Sequence, residues 1–220
     1  MAIQLPEDMK LVKKLPLARI EEIDRLVLDD RGLLRVLPAE TLRAIPELQS
    51  WAHFRAIYGF PTAELIDFLR VEIAGLPAVE IGAGNGSIGR ALGIPVTDSK
   101  LQEREDMALW YATFMQPTIV YPPDIVKLDA LAAVARYRPR VVVASWVTQY
   151  GADGRHSNSW GVDERRLIKQ VRKYVFVGNA NVHRHKEIMA LPHRELAPPW
   201  LVSRAQDQSL NRIWIWKSWR

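Results

Sequence analysis

The sequence contains no cysteine. That absence excludes disulfides, thiolate metal sites and every mechanism that needs a cysteine nucleophile. Long hydrophobic runs are missing too, since no apolar stretch reaches the eighteen or so residues that a membrane span requires. The opening MAIQLPEDMKLVKK has acids ahead of its lysines and no hydrophobic block, unlike a secretory signal. A cytoplasmic location is therefore expected, with no membrane partner. No tract of pure Pro, Gly, Gln or Ser interrupts the chain and no internal repeat is found. With 220 residues, 48% of them hydrophobic, the chain is long enough for one real core and short for two.

What is present is unevenly distributed. The formal charge of +5 divides into 13 basic and 17 acidic residues over 1–110 (net −4) and 17 and 8 over 111–220 (net +9). A positive second half attracts an anionic partner, nucleic acid included, although solvated helix faces carry such excesses as well. Residues 1–75 read as a helical extension: IEEIDRLVLDD, ETLRAIPELQSWAHFRAIY and AELIDFLRVEIAG each space apolar positions three or four apart. Leu65, Phe68, Leu69 and Ile73 share a face that needs a sheet to cover.

Residues 76–220 then alternate short strands with helices, the pattern of parallel α/β units. Strands are expected at 78–81, 94–97, 118–121, 141–145 and 174–177, with 124–127 as another register for the third. Helices are expected at 87–92, 100–115, 124–137, 163–173 and near 185–190. The chain ends on WLVSR and RIWIWKSW, which read as a hairpin, so one of its strands must oppose the rest. In the last strand Trp214 and Trp216 point one way and Ile213 and Ile215 the other, so both faces are expected to be covered. The expected fold is α/β, Rossmann-like and doubly wound. Its sheet is mostly parallel and seven-stranded, with an antiparallel C-terminal strand.

The stretch VEIGAGNGSIGRAL, Val79 to Leu92, places four glycines within eight residues behind a short β-branched run that contains one acid, Glu80. A strand ending in glycines and running into a helix brings backbone N–H groups to a ligand at the sheet's carboxyl edge. A nicotinamide dinucleotide wants GxGxxG as the strand ends; counted from Gly82 the third glycine falls on Ser87, and only a count from Gly84 restores it. A carboxylate beneath a pyrophosphate would also be repelled, whereas it suits a cationic ligand.

Glu80, Gly82, Gly84 and Gly86 reproduce the ExGxGxG turn, and on these residues the chain resembles the class I S-adenosylmethionine-dependent methyltransferases. The resemblance spans roughly 78–217. It implies an S-adenosylmethionine cofactor held by Glu80, Gly82, Gly84, Asn85, Gly86 and Asp98, with Ser145 and Trp146 closing the fourth strand. Asp98 ends the strand GIPVTDSK, where this family grips the ribose hydroxyls; the competing role is a cap on the helix that follows. An adenine-contacting acid would be Asp124 or Asp129, depending on the third strand's register. The resemblance departs in the short SIGRAL helix and in the fourth strand's end, ASWV, which lacks the Pro-Pro-aromatic signature of amino-methylating enzymes. The similar Ala197–Trp200 is read as a turn.

Chemistry is expected in the loops after the fourth and fifth strands, SWVTQYGADGRHSNSWG and GNANVH. Gln149, Tyr150, His156, Asn158, Asn179 and His183 are the polar groups there, with His156, Tyr150 and Asn179 the catalytic candidates and no metal assigned. The loop at 151–161 is either a lid or a plain surface connection. The expected activity is methyl transfer to an unidentified acceptor. A catalytically silent S-adenosylmethionine-binding partner protein and a nicotinamide-dependent oxidoreductase are the alternatives.

Overall fold

Strand β1 (Ala78–Ile81) is buried at all four positions, as a strand covered on both faces must be. It anchors the computed structural model, which describes residues 14–113, 115–148 and 160–218. It pairs in parallel with β4 (Val141–Ser145), and β4 in parallel with β5 (Lys173–Asn179). Strand β7 (Asn211–Lys217) runs antiparallel to β5, and β6 (Arg194–Leu196) antiparallel to β7. The result is a mixed five-stranded sheet ordered β1-β4-β5-β7-β6.

The expected single seven-stranded sheet is instead two ladders. Strands β2 (Thr97–Asp98) and β3 (Val126–Lys127), two residues each, pair only with one another. One parallel bridge between Glu80 and Val96 ties them to β1, where the Glu80 N–H donates to the Pro95 carbonyl at 3.0 Å.

Both faces of the sheet are covered. On one lie α4 (Ala63–Ile73) and α5 (Ser87–Leu92), with Leu65, Leu69 and Ile73 against Val143, Val175, Ile213 and Ile215. Thr62 caps α4 by accepting the Leu65 N–H at 3.1 Å. On the other lie α7 (Ala130–Tyr137) and α8 (Glu164–Ile168), over Val142, Tyr174, Phe176, Trp214 and Trp216. The cross-strand pairs Tyr174–Trp216 and Phe176–Trp214 stack with ring centroids 5.6 Å apart. Helices α1 (Leu17–Val27), α2 (Ala39–Arg43) and α3 (Leu48–Phe54) gather a separate core around Ile23, Leu42, Trp51 and Phe60, which Val202 joins.

Several expectations are corrected. The long helix expected from Glu40 to Tyr58 is broken between α2 and α3 at Pro46, with Glu47 in the left-handed region at φ 65°. The third strand is not at 118–121 but at Val126–Lys127, because Val126 and Leu128 donate to the Val96 and Asp98 carbonyls at 3.1 and 2.9 Å. The helix expected from Asp124 starts only at Ala130, where Asp129 accepts the Ala132 N–H at 2.9 Å and so fixes its first turn. The helix expected over 100–115 shortens to a 3-10 turn at Leu101–Glu103 and α6 (Glu105–Thr113). Near 185–190 stand one helical turn, α8's successor α9 (Ala180–His183), and a 3-10 turn at Glu187–Ala190.

WLVSR is not a hairpin strand. Its backbone is claimed from the other end of the chain: Phe60 and Arg204 exchange N–H donation with the Val202 and Tyr58 carbonyls at 3.0 and 3.1 Å, and Gly59 bridges Ser203. The partner of β7 is therefore β6, fastened by Trp214 Nε1 donating to Glu195 at 2.9 Å.

Beneath the aromatic face, Glu164 of α8 is buried and accepts both the Tyr174 hydroxyl at 2.7 Å and the Lys186 ammonium at 2.6 Å. Lys186 lies 4.5 Å from the Phe176 ring centre. Removing one charge strands the other in the core, at a cost of about 3–5 kcal/mol. Lys186→Met should therefore lower the stability read by urea denaturation by about that amount, and the double variant Lys186→Met/Glu164→Leu should recover part of it.

Candidate functional site

Three glycines after β1 adopt left-handed backbone: Gly82 at φ 53°, Gly84 at φ 56° and Gly86 at φ 70°. Residues with a Cβ enter that region only at a cost. Space adds a second demand at some of them. A Cβ on Gly82 would lie 2.4 Å from a Val147 methyl, and one on Gly86 2.3 Å from an Ile125 methyl. A Cβ on Gly84 meets only Ile119, at 3.5 Å. Gly82 and Gly86 are thus required by the protein's own packing, while Gly84 borders a cavity.

The fourth glycine explains the acid inside β1. Glu80 is 2% exposed, and its Oε2 accepts the Gly89 N–H at 2.7 Å. A Cβ on Gly89 would sit 2.7 Å from that oxygen and 2.4 Å from Val96. Burial pushes the Glu80 carboxyl up to about 8, against the Gly89 N–H and Arg90, with Asp98 adding to the rise. Burial therefore favours the protonated form of Glu80, against the charged partner that the sequence pattern alone leads one to expect.

Asp98 ends β2 and turns its carboxyl into the same turn. Oδ2 accepts the Gly84 N–H at 2.9 Å and Oδ1 the Lys100 N–H at 2.7 Å, and the Tyr121 hydroxyl donates to it as well. Burial raises its pKa despite those donors. The bond to Lys100 is a local turn two residues on and not a cap, since the 3-10 turn that follows starts from Lys100 with no side-chain cap, and the bond to Gly84 ties Asp98 to the glycine turn. Asn85 Oδ1 accepts the Ser87 N–H at 3.0 Å and shapes the turn locally.

These groups surround a cavity of about 170 Å³. Glu80, Gly82, Gly84, Asn85 and Asp98 line it, together with Ser145 and Trp146 from the end of β4; Gly86 does not. Trp146 is held at φ 58°, its N–H donating to the Val177 carbonyl at 2.9 Å. Asp124 and Asp129 stay outside this wall, Asp124 paired with Arg90 at 2.8 Å and Asp129 capping α7.

Sequence spacing misses the aromatic side of the cavity. Tyr58, Tyr111 and Tyr121 line it, with Gln102 donating to the Tyr111 hydroxyl at 3.1 Å and accepting the Ile119 N–H at 2.8 Å. Within 118–121, expected as a strand, Ile119 and Tyr121 face this wall instead. Gly59, behind Tyr58, was the one available signal: a Cβ there would come 3.3 Å from Trp146 Nε1, so the glycine lets the opening third of the chain touch the end of β4.

A second cavity of about 590 Å³ shares Tyr58, Trp146, Val147 and Thr148 with the first. The loop candidates distribute unevenly around it. Gln149, Tyr150, His156 and Asn158 fall outside the described residues, as does most of the 151–161 loop. Asn179 lines the second cavity, but its amide is committed: Oδ1 accepts the Asn181 N–H, and Nδ2 donates to the Asp207 carbonyl and to Asn211 Oδ1, each at 3.1 Å. His183 packs edge-on to Trp146 and Phe176 with centroids 5.2 and 4.9 Å away. Burial, with Lys186 nearby, pushes its pKa down to about 3, so it stays neutral and is a poor proton acceptor near neutrality.

No protein-family model and no curated protein matches this sequence. Among solved structures, the chain is similar to the hMettl16 catalytic domain in complex with MAT2A 3'UTR hairpin 6, at 14% identity and TM-score 0.37, covering 98% of this chain and 90% of that one. It is also similar to Thermoplasma acidophilum 1320, at 11% identity and TM-score 0.35, over 70% of this chain and 87% of the other. A third is the Pyrococcus abyssi tRNA (uracil-54, C5)-methyltransferase with S-adenosyl-L-homocysteine, at 13% identity and TM-score 0.33, over 69% of this chain and 36% of that enzyme. With TM-scores this low, what the site does is inferred from its own geometry.

Two measurements check that geometry. Gly84→Ala should cost about 1–2 kcal/mol by denaturant unfolding, the left-handed penalty alone, while Gly82→Ala and Gly86→Ala lose more because a methyl must also be displaced. For Glu80, the unfolded carboxyl releases its proton from its ordinary value of 4.5 upward, and the folded one keeps it to about 8. Stability should therefore fall as pH rises across that window, by up to about 1.4 kcal/mol per pH unit. Glu80→Gln, which carries no such proton, should show a flatter profile between pH 5 and 8; equal slopes would mean that Glu80 is already ionised in the free protein.

Proposed function

We propose that this chain binds S-adenosylmethionine in the smaller cavity and transfers its methyl group to an acceptor. What supports this is a pair of buried carboxyls, Glu80 and Asp98, both pushed up by burial, meeting beside a left-handed glycine turn whose middle glycine opens on the cavity. A cation arriving there discharges an unfavourable arrangement, because it lowers the cost of ionising both acids. A dinucleotide's pyrophosphate would add negative charge to it. The residues present therefore fit a sulfonium amino-acid nucleoside better than a nicotinamide dinucleotide.

In this role Glu80 faces the cofactor's positive end. Asp98, with about four lone-pair sites on its carboxylate and three donors already on them, exchanges a donor for a ribose hydroxyl. Gly82, Gly84 and Asn85 supply the close backbone approach, and Ser145 and Trp146 border the reacting side. When bound, S-adenosylmethionine supplies an electrophilic methyl group on a sulfur that departs neutral, so the protein's task is chiefly positioning and exclusion of water. Residues 76–220 form the cofactor-binding unit in this proposal, with the two ladders acting as one twisted layer in the order 3-2-1-4-5-7-6 and β7 alone reversed. Residues 1–75 are its helical extension, which completes the wall with Tyr58. The net +9 of residues 111–220 favours an anionic acceptor, a nucleic acid among the candidates.

Isothermal calorimetry with S-adenosylmethionine, S-adenosylhomocysteine and NAD decides between ligands. The first two should bind and NAD should not, and Asp98→Asn should weaken the first two by about tenfold or more, the value of a charged hydrogen bond. Heat from NAD, or none from the other two, would remove the proposal. Formation of S-adenosylhomocysteine in a cell extract then separates an enzyme from a silent binder.

A further inference from the structure

The larger cavity holds the feature that the cofactor leaves unexplained. Arg204 lines it, with its guanidinium stacked 3.6 Å from the centre of the Tyr58 ring and its backbone N–H donating to the Tyr58 carbonyl at 3.1 Å. Tyr58 is braced in turn by a hydrogen bond between its hydroxyl and that of Tyr111. Among the described residues, Arg204 Nη1 is the buried side-chain nitrogen or oxygen left with no hydrogen-bond partner. That nitrogen is shielded, but Arg204 as a whole is only partly buried and lines the cavity, so its side chain is open to a molecule held there.

Two other ionisable groups of the described lining carry no free positive charge. Lys186 is held by Glu164 at 2.6 Å, and His183 is neutral. Asp207, the acid in the lining, is turned to its own backbone and accepts the Ser209 N–H at 2.9 Å. Among the described lining residues, Arg204 is a positive group held by no carboxylate, set against the aromatic walls of Tyr58 and Trp146. At about 590 Å³ the cavity has the size that small organic ligands occupy. Through Tyr58, Trp146, Val147 and Thr148 it adjoins the smaller cavity.

We propose that the larger cavity receives the methyl acceptor, and that Arg204 anchors there the oxyanion, carboxylate or phosphate, of a small organic molecule whose ring lies along Tyr58 and Trp146. Planar guanidinium pairs with either oxyanion, and its stacking on Tyr58 fixes the direction from which the anion is met. The proposal rests on methyltransferase function for the assignment as acceptor, but not for the binding itself.

Calorimetry on the full chain, with and without saturating S-adenosylhomocysteine, tests it using benzoate, phenyl phosphate and the uncharged benzamide as probes. Benzoate or phenyl phosphate should bind at least tenfold more tightly than benzamide, and whichever binds better names the anion. Arg204→Gln should abolish that preference, a loss of about ten- to a hundredfold, and change S-adenosylhomocysteine affinity by less, through the shared Tyr58 wall. Arg204→Lys, which keeps the charge without the planar fork, should retain part of it and guards against a folding defect, checked by thermal melting. Equal affinity for all three probes, an anion preference that survives in folded Arg204→Gln, or tight binding of a single-stranded RNA with the small anions inert would overturn the proposal. If S-adenosylhomocysteine fails to bind while the anion preference stands, the methyltransferase assignment falls and the oxyanion site remains. If it binds and the preference is absent, the reverse holds.

Discussion

The hydrogen bond from the Gly89 N–H to the Glu80 carboxyl is the constraint around which the rest is arranged. Through the Glu80 side chain it joins the middle of β1 to the backbone of the first turn of α5, and it exists only because residue 89 lacks a Cβ. Once strand and helix are so close, the chain linking them must reverse within a few residues, which puts Gly82, Gly84 and Gly86 in left-handed backbone. The same closeness excludes water from Glu80 and so raises its pKa. A packing demand and an electrostatic one thus share a cause.

Asp98 reaches this turn from a different ladder. Strand β2 is only two residues long, but the Ala83 N–H donates to the Thr97 carbonyl at 3.0 Å and the Thr97 hydroxyl to the Glu80 carbonyl at 2.9 Å. These bonds fix the second acid relative to the first more firmly than a long strand paired elsewhere would. Two buried carboxyls whose pKa values stay raised despite Arg90 and Lys100 nearby are costly to ionise, and they sit where the proposed cofactor is positive.

How much of this was legible depended on the distance along the chain between partners. The glycine turn, the SIGRAL helix and Asp98 lie within twenty residues, so local spacing carries them, and α5 spans the six residues that its sequence marks out. The alternation of Ile213, Trp214, Ile215 and Trp216 likewise foretold a strand covered on both faces. The third strand was misplaced because Ile125, Leu128, Ala132 and Ala135 keep a helical period, yet Asp129 caps the helix partway through that series and frees what precedes it to pair with β2. WLVSR had every mark of a strand, and its backbone does pair, but with residues near Gly59 that no local pattern connects to it. Tyr58 and Arg204 were unreadable for the same reason, since neither has a distinctive neighbour in sequence.

The Gly59–Ser203 bridge spans 144 positions (203 minus 59). Until the polypeptide has emerged past residue 203, nothing holds Tyr58 against Arg204, although Trp146 can already be fixed by its bond to Val177 at the end of the sheet. Closing so large a loop is entropically slow relative to local helix formation. The wall that Tyr58 gives to both cavities is thus completed late in folding, when two segments far apart in sequence meet over α/β layers that form from nearer contacts.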